Sequence, residues 1–185
     1  ITTTPRDLTV DDAAALRRAS AVSRLAPLTV GTSEISFGGR LREIIVAGST
    51  SDFIPIRNFE LAQGRGLPEE DWNRGSSVAI IGSKIREELF GNESAVGQLI
   101  RVGDRRLRIV GVLKPVGQGL GMNTDELVIV PVSLAQAMFN SNTLFRILVE
   151  AKSREAIPEA KEQVMDILKQ RHRGEEDVTV ITQDA

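Results

Sequence analysis

The sequence predicts an α+β fold in which a small layered α/β unit is formed by both chain ends and a mostly-β unit is inserted between them. Two observations lead to this prediction. Both ends combine a helical pattern with apolar strands, whereas the middle alternates short apolar strands with glycine-rich turns and contains a single helix. We therefore expect residues 1–51 and 140–185 to form the α/β subdomain and residues 52–139 the β-rich subdomain.

The first end begins with a predicted helix over residues 8–26, capped by Thr9 and stopped by Pro27. A hairpin of strands 28–37 and 40–48 follows about Gly38-Gly39, a pair that tolerates positive φ. The second of these strands is apolar on both faces near Ile44, which predicts a central position in its sheet.

Arginines at 17, 18 and 24 allow two interpretations. They form either a site for an acidic partner or a solvated helix face, and we favour the solvated face.

Residues 49–58 predict a crossover into the second subdomain. Trp72, the only tryptophan, is either an interface anchor or a lid over the local core, and we favour the lid.

The middle is the most regular part of the chain. Its predicted elements are strand 78–81, helix 83–90 and strands 98–102, 105–113 and 126–130. Gly91 ends the helix, and Gly103-Asp104 is a two-residue loop that suits a tight hairpin turn.

The second end supplies two further helices and two strands. We predict a short helix 133–140 with Ser133 as its cap, strand 144–151, helix 157–171 with Pro158 in its first turn, and strand 178–181. The apolar residues of helix 157–171 fall on one face at i, i+3 and i+4 spacing.

Several short motifs follow one another in a fixed order. Ala62, Gly64 and Arg65 precede strand 78–81, and the helix ends in Leu89-Phe90-Gly91. VGQLIRV at 96–102 and RIVGVL at 108–113 come next. Over roughly residues 45–132 this order resembles the MacB-like periplasmic core domain of ABC-transporter permeases.

The resemblance implies Porter and Sabre subdomains on the extracytoplasmic side of a membrane, with transmembrane helices beyond both ends of the chain. It also implies a second permease protomer, an ATP-binding subunit or domain, and in many cases a periplasmic adaptor or carrier protein. In that family the domain relays ATP-driven movement in efflux or in lipoprotein or peptide transport.

Composition excludes several other classes. The net charge is −2, from 23 basic and 25 acidic residues, so a nucleic-acid partner would meet no surplus of positive charge. The sequence contains no cysteine, which removes thiol chemistry. Its longest apolar runs are far shorter than the ~20 residues that span a bilayer, so we expect no membrane span within these residues.

We expect no catalytic, cofactor or metal site. The only histidine, His172, follows the end of a predicted helix, where it complements the helix dipole. The glycine-rich segment 117–121 leads into a strand rather than a helix, and Gly82-Ser83-Lys84 lacks the upstream glycine of a phosphate loop. We therefore predict that the protein is not an enzyme.

The predicted partner-binding residues lie in the loop 116–124. They are Gln118, Leu120, Met122 and Asn123. Glycines make this loop adaptable, and leucine and methionine suit an apolar contact; the alternative, an ordinary flexible connection, stays equally open. Two alternatives stay open: a small-ligand-binding module or degenerate α/β hydrolase, and a purely structural dimerisation module.

Overall fold

The computed structural model describes residues 8–116, 124–171 and 178–182, and within these ranges it contains nine strands and five α-helices. The strands are β1 Val22–Phe37, β2 Arg40–Ser49, β3 Leu61–Gly64, β4 Val78–Ile81, β5 Leu99–Val102, β6 Arg105–Leu113, β7 Leu127–Pro131, β8 Arg146–Ala151 and β9 Val178–Ile181. The helices are α1 Val10–Ala15, α2 Phe53–Ile56, α3 Ser83–Phe90, α4 Val132–Met138 and α5 Ile157–Gln170. This strand-rich mixture confirms the predicted α+β class.

Six strands close into a ring in the order β1, β2, β7, β4, β6, β5 and back to β1. Parallel pairs join β2 to β7 and β4 to β6, and the remaining neighbours are antiparallel. Alternate residues of each strand point inward, so Ile35, Val46, Ile109 and Val128 meet in one buried cluster with the apolar face of α3.

β1 also belongs to a second sheet. Its first half, residues 22–28, pairs antiparallel with β8, and β8 pairs parallel with β9. α1 and α5 contribute to the cluster that covers one face of this sheet, through Val10, Val164 and Leu168 against Ile147 and other residues. One 16-residue strand therefore connects the ring to the layered part. The predicted boundaries at 52 and 140 stay a prediction.

Helix α4 packs closely against the ring at two glycines. A Cβ atom on Gly48 would lie 2.2 Å from the Cβ of Ala135, and one on Gly31 would lie 2.5 Å from Cζ of Phe139. A side chain at Gly48 would push α4 away from β2, and one at Gly31 would push aside the ring of Phe139, which follows α4. The predicted cap of this helix is wrong: α4 begins at Val132, and the Ser133 hydroxyl accepts a 2.7 Å hydrogen bond from the Gly75 N–H instead.

The predicted helix 8–26 is also wrong beyond its first turns. α1 ends at Ala15, a 3₁₀ turn Leu16–Arg18 follows, and after an extended Ala19 and a turn at residues 20–21 the strand β1 begins at Val22. The small apolar residues near its end suit a helix and a strand equally. Long-range pairing with β8 decides the outcome in favour of β1.

Most of the remaining predictions agree with the structure closely. Strands 78–81, 105–113 and 178–181 and helix 83–90 have the predicted bounds, and most other elements shift by a few residues at their ends. Two predictions are wrong: β1 begins six residues before the predicted strand 28–37, and the middle contains a second helix, α2, within the predicted crossover 49–58. The hairpin about Gly38-Gly39 is confirmed, with both glycines at positive φ. β2 lies between β1 and β7, as its apolar pattern predicted.

Candidate functional site

The predicted partner-binding loop is anchored at both flanks. The N–H of Val116 donates a 2.9 Å hydrogen bond to Oδ1 of Asp125, which closes the base of the loop. A Cβ on Gly82 would lie 2.4 Å from the carbonyl oxygen of Asp125, so the returning chain packs against the start of α3. Gln118, Leu120, Met122 and Asn123 themselves lie outside the described residues, and their role stays a prediction.

A second candidate region is the N-terminal segment, which begins with a capping box. The Asp12 N–H donates to Oγ1 of Thr9, and the Thr9 N–H donates a 2.9 Å hydrogen bond to Oδ2 of Asp12. Asp12 is fully buried, and its other oxygen accepts from Nε of Arg171 at 2.8 Å. This ion pair connects α1 to the C-terminal end of α5.

Two further contacts fasten the same segment. The carbonyl oxygen of Leu8 accepts a 2.8 Å hydrogen bond from the N–H of Leu144, just before β8. In the 3₁₀ turn, the guanidinium of Arg17 lies 3.8 Å from the centroid of the Trp72 ring, a cation–π contact. The segment 8–18 is thus held by β8, by α5 and by the loop between β3 and β4.

Trp72 packs against the buried cluster formed by α1, α5 and β8, as the lid interpretation requires. Beside it an open cleft of about 160 Å³ is lined by Arg17, Arg24, Thr50 and Asp52, among other residues. Thr50 is only 7% exposed, and its buried hydroxyl has no hydrogen-bond partner among the described residues.

The arginines of the first predicted helix have separate surroundings. Arg24 lies on β1 and pairs with the buried Glu150 at 3.4 Å, whereas Arg18 is exposed and donates to the carbonyl oxygen of Ala15. The solvated-face interpretation therefore describes the exposed Arg17 and Arg18, although Arg17 also contacts the Trp72 ring, whereas Arg24 lies on a strand and pairs with Glu150.

Sequence reasoning identified Thr9 as a cap but missed the pairing of Asp12 with Arg171. The Thr9–Asp12 spacing of three residues is a readable capping-box signal. A contact across 159 positions leaves no such local signal.

The ranges 8–116, 124–171 and 178–182 hold no group of three or more His, Asp or Glu side chains placed to bind a metal ion. In the same ranges, no helix is long and apolar enough to cross a bilayer.

These features define a strand-rich α+β domain in which a closed ring and a layered sheet share one strand. The chain belongs to the family of MacB-like periplasmic core domains, whose model matches residues 2–167. The resemblance seen in the sequence is thereby confirmed.

Two curated relatives cover nearly the whole chain. The pyoverdine export ATP-binding/permease protein PvdT of Pseudomonas entomophila is 30% identical over 181 residues, which cover 96% of this chain and 28% of that protein. The macrolide export ATP-binding/permease protein MacB of a Shewanella species is 30% identical over 183 residues, which cover 97% of this chain and 28% of that protein. The chain thus spans about a quarter of the length of these relatives.

Two solved structures share the fold. The extracellular domain of the noncanonic ABC-type transporter YknZ from Gram-positive bacteria has a TM-score of 0.75 at 22% identity, with 91% of this chain and 86% of that chain covered. The periplasmic region of MacB from Actinobacillus actinomycetemcomitans has a TM-score of 0.76 at 19% identity, with 90% of this chain and 75% of that chain covered.

Proposed function

We propose that this chain is the extracytoplasmic domain of an ABC-transporter permease, that it has no catalytic role of its own, and that it relays ATP-driven movement across the membrane during export. The observation that carries the proposal is the threefold fastening of segment 8–18. Because β8, α5 and the Trp72 loop all hold this segment, a displacement at its start moves these elements together.

The proposal is tested in the full transporter reconstituted in vesicles, by measuring ATP hydrolysis and substrate export together. The substitution Asp12→Asn breaks the ion pair with Arg171. It should lower the amount of substrate exported per ATP hydrolysed, because α1 and α5 then lose their charged connection. Asp11→Asn removes a charge from an exposed neighbouring residue and should leave that ratio unchanged. If both variants export as well as the unchanged protein, the segment is not part of a relay.

The partners in this proposal are a second permease protomer, an ATP-binding subunit or domain, and a periplasmic adaptor or carrier protein. The exported substrate is of the class handled by efflux or by peptide and lipoprotein transporters. The names of the relatives, which refer to pyoverdine and macrolide export, support an export role.

We place the adaptor or carrier contact on the loop whose base Val116 and Asp125 close. Leu120→Asp and Met122→Asp should weaken binding of that protein, measured by titration calorimetry with the isolated partner. Met165→Asp, at a partly exposed position on α5, is the matched control. Equal affinity of all three variants and the unchanged chain would remove the loop from consideration.

Binding of a small ligand is a second candidate function, and one observation favours it. The unpartnered hydroxyl of Thr50 borders the cleft beside Trp72, where a ligand could supply the missing hydrogen bond. Trp72 is the only tryptophan, so its fluorescence reports on the cleft directly. A metabolite screen in which no compound changes this fluorescence saturably would argue against this candidate.

A further inference from the structure

The outer face of the ring carries an ordered set of exposed side chains on β2, β1, β5 and β6. Ile35, Ile100, Val102 and Leu107 point into the ring, so the residues that alternate with them point outward. The strand registers then give the neighbours across this outer face.

The outward charges are arranged in like-charged pairs. On β1 and β2, Glu34 lies directly opposite Glu43. On β5 and β6, Arg101 lies directly opposite Arg106, and Arg108 follows two residues further along β6. All five side chains are exposed, and none forms an ion pair with another described residue.

Like charges in directly opposed positions destabilise a sheet. This chain has almost equal numbers of acidic and basic residues, so its composition does not require such pairs. Two such pairs lie side by side and none of their members is held in an ion pair among the described residues, which points to a partner that supplies opposite charges.

Exposed apolar side chains lie among these charges. Leu41 is 64% exposed, Leu99 47% and Ile45 37%, which is half of the six large exposed hydrophobic residues among those described. Leu41 lies opposite Ser36 on β1, and Ser36 in turn lies opposite Arg101 on β5. Apolar residues surrounded by charged ones are typical of a protein–protein contact.

The face is complementary to itself. The acidic pair lies on β1 and β2, and the arginines lie on the neighbouring β5 and β6. A two-fold rotation about an axis that lies in the plane of the face, along the boundary between β1 and β5 near Ser36, turns a second copy over and exchanges these two sides. It places the acidic pair of one copy over the arginines of the other, and the reverse contact forms at the same time.

We propose that this outer face of β2, β1, β5 and β6 is the contact between two copies of this chain. An anionic membrane or a uniformly acidic protein would match the three arginines but not Glu34 and Glu43, which would repel it. A second copy presents both signs in the inverse arrangement. The inference deepens the proposed pairing of two protomers and rests on it for the identity of the partner.

The test is a charge exchange, measured by sedimentation equilibrium of the 185-residue chain. The unchanged chain should dimerise at concentrations up to about 1 mM, the range that two tethered domains experience. Glu34→Arg/Glu43→Arg makes all five outward charges of the face basic, and Arg101→Glu/Arg106→Glu makes them acidic except for Arg108. Each variant alone should self-associate at least about tenfold more weakly than the unchanged chain, because like charges then face each other.

An equimolar mixture of the two variants should restore dimers, because an acidic face then meets a basic one. Glu162→Arg/Asp166→Arg changes the net charge by the same amount as Glu34→Arg/Glu43→Arg, but on exposed residues of α5. This control variant should dimerise like the unchanged chain. Circular dichroism of every variant checks that the fold is retained.

Each outcome has one meaning for this face. Dimers that persist in both variants, or a mixture that stays monomeric, would exclude this face while leaving the pairing of protomers intact. A chain that remains monomeric at 1 mM would overturn the second copy as its partner. Neither result bears on the relay, which the ratio of export to ATP hydrolysis tests separately.

Discussion

Asp12 connects local and long-range structure at the scale of a single residue. It is fully buried, accepts from the Thr9 N–H and pairs with Arg171. Asp12→Ala removes the ion pair and the reciprocal half of the capping box, and we expect it to lower the free energy of unfolding by about 2–3 kcal/mol. The half-exposed position of Arg171 keeps this value below that of a fully buried pair. Urea denaturation followed by circular dichroism measures it.

Asp11 provides the matched comparison, since it lies in the same turn but is exposed. Asp11→Ala should cost less than about 0.5 kcal/mol, the size of a surface charge–dipole interaction. Equal losses in the two variants would mean that helix–dipole charge, and not the buried contacts, accounts for the effect of Asp12.

The contact of Arg17 with Trp72 is a second prediction for single side chains. A double-mutant cycle with Arg17→Gln and Trp72→Phe should give a coupling free energy of about 0.5–1 kcal/mol, as expected for an exposed cation–π pair. Arg17→Gln should also change the emission of Trp72, because the guanidinium lies 3.8 Å from the ring centroid. Arg18→Gln, next to it and exposed, should change neither quantity.

At the scale of elements, α4 packs tightly on β2 at Gly48. Gly48→Ala should destabilise the protein by about 1–3 kcal/mol, because the new methyl group would overlap the Cβ of Ala135. Ala135→Gly alone should cost about 1 kcal/mol through helix propensity. The double variant should lose less unfolding free energy than the sum of the two single losses, as measured by thermal or urea unfolding. Additive losses would show that α4 moves aside instead.

Elements with strong local signals could be predicted from the sequence. α3 lies between Gly82 and Gly91, and β5 and β6 surround the Gly103 turn, which has positive φ. The first helix was predicted too long because the residues that enter β1 carry small apolar side chains that suit either state. Only their pairing with β8, more than 100 positions away, selects the strand. Ring closure and the Asp12–Arg171 pair have the same non-local origin.

At the scale of the whole molecule, β1 determines whether the predicted subdomains can unfold separately. Residues 22–28 pair with β8 in the second sheet, and residues 29–37 pair with β2 in the ring. Opening either sheet therefore exposes hydrogen bonds and apolar surface of the same strand. The proposed boundaries at 52 and 140 also place the paired strands β2 and β7 on different sides of a boundary.

We therefore expect a single cooperative unfolding transition. Trp72 reports on the cluster beside α1, and far-ultraviolet circular dichroism reports on all strands, so the two signals should coincide. Val149→Ala in the second sheet and Ile109→Ala in the ring each remove a fully buried side chain. Each variant should lower the free energy of unfolding by about 1–4 kcal/mol and should therefore shift the midpoint of that one transition downward. Two separate transitions, each sensitive to only one of the variants, would instead establish two subdomains that unfold independently.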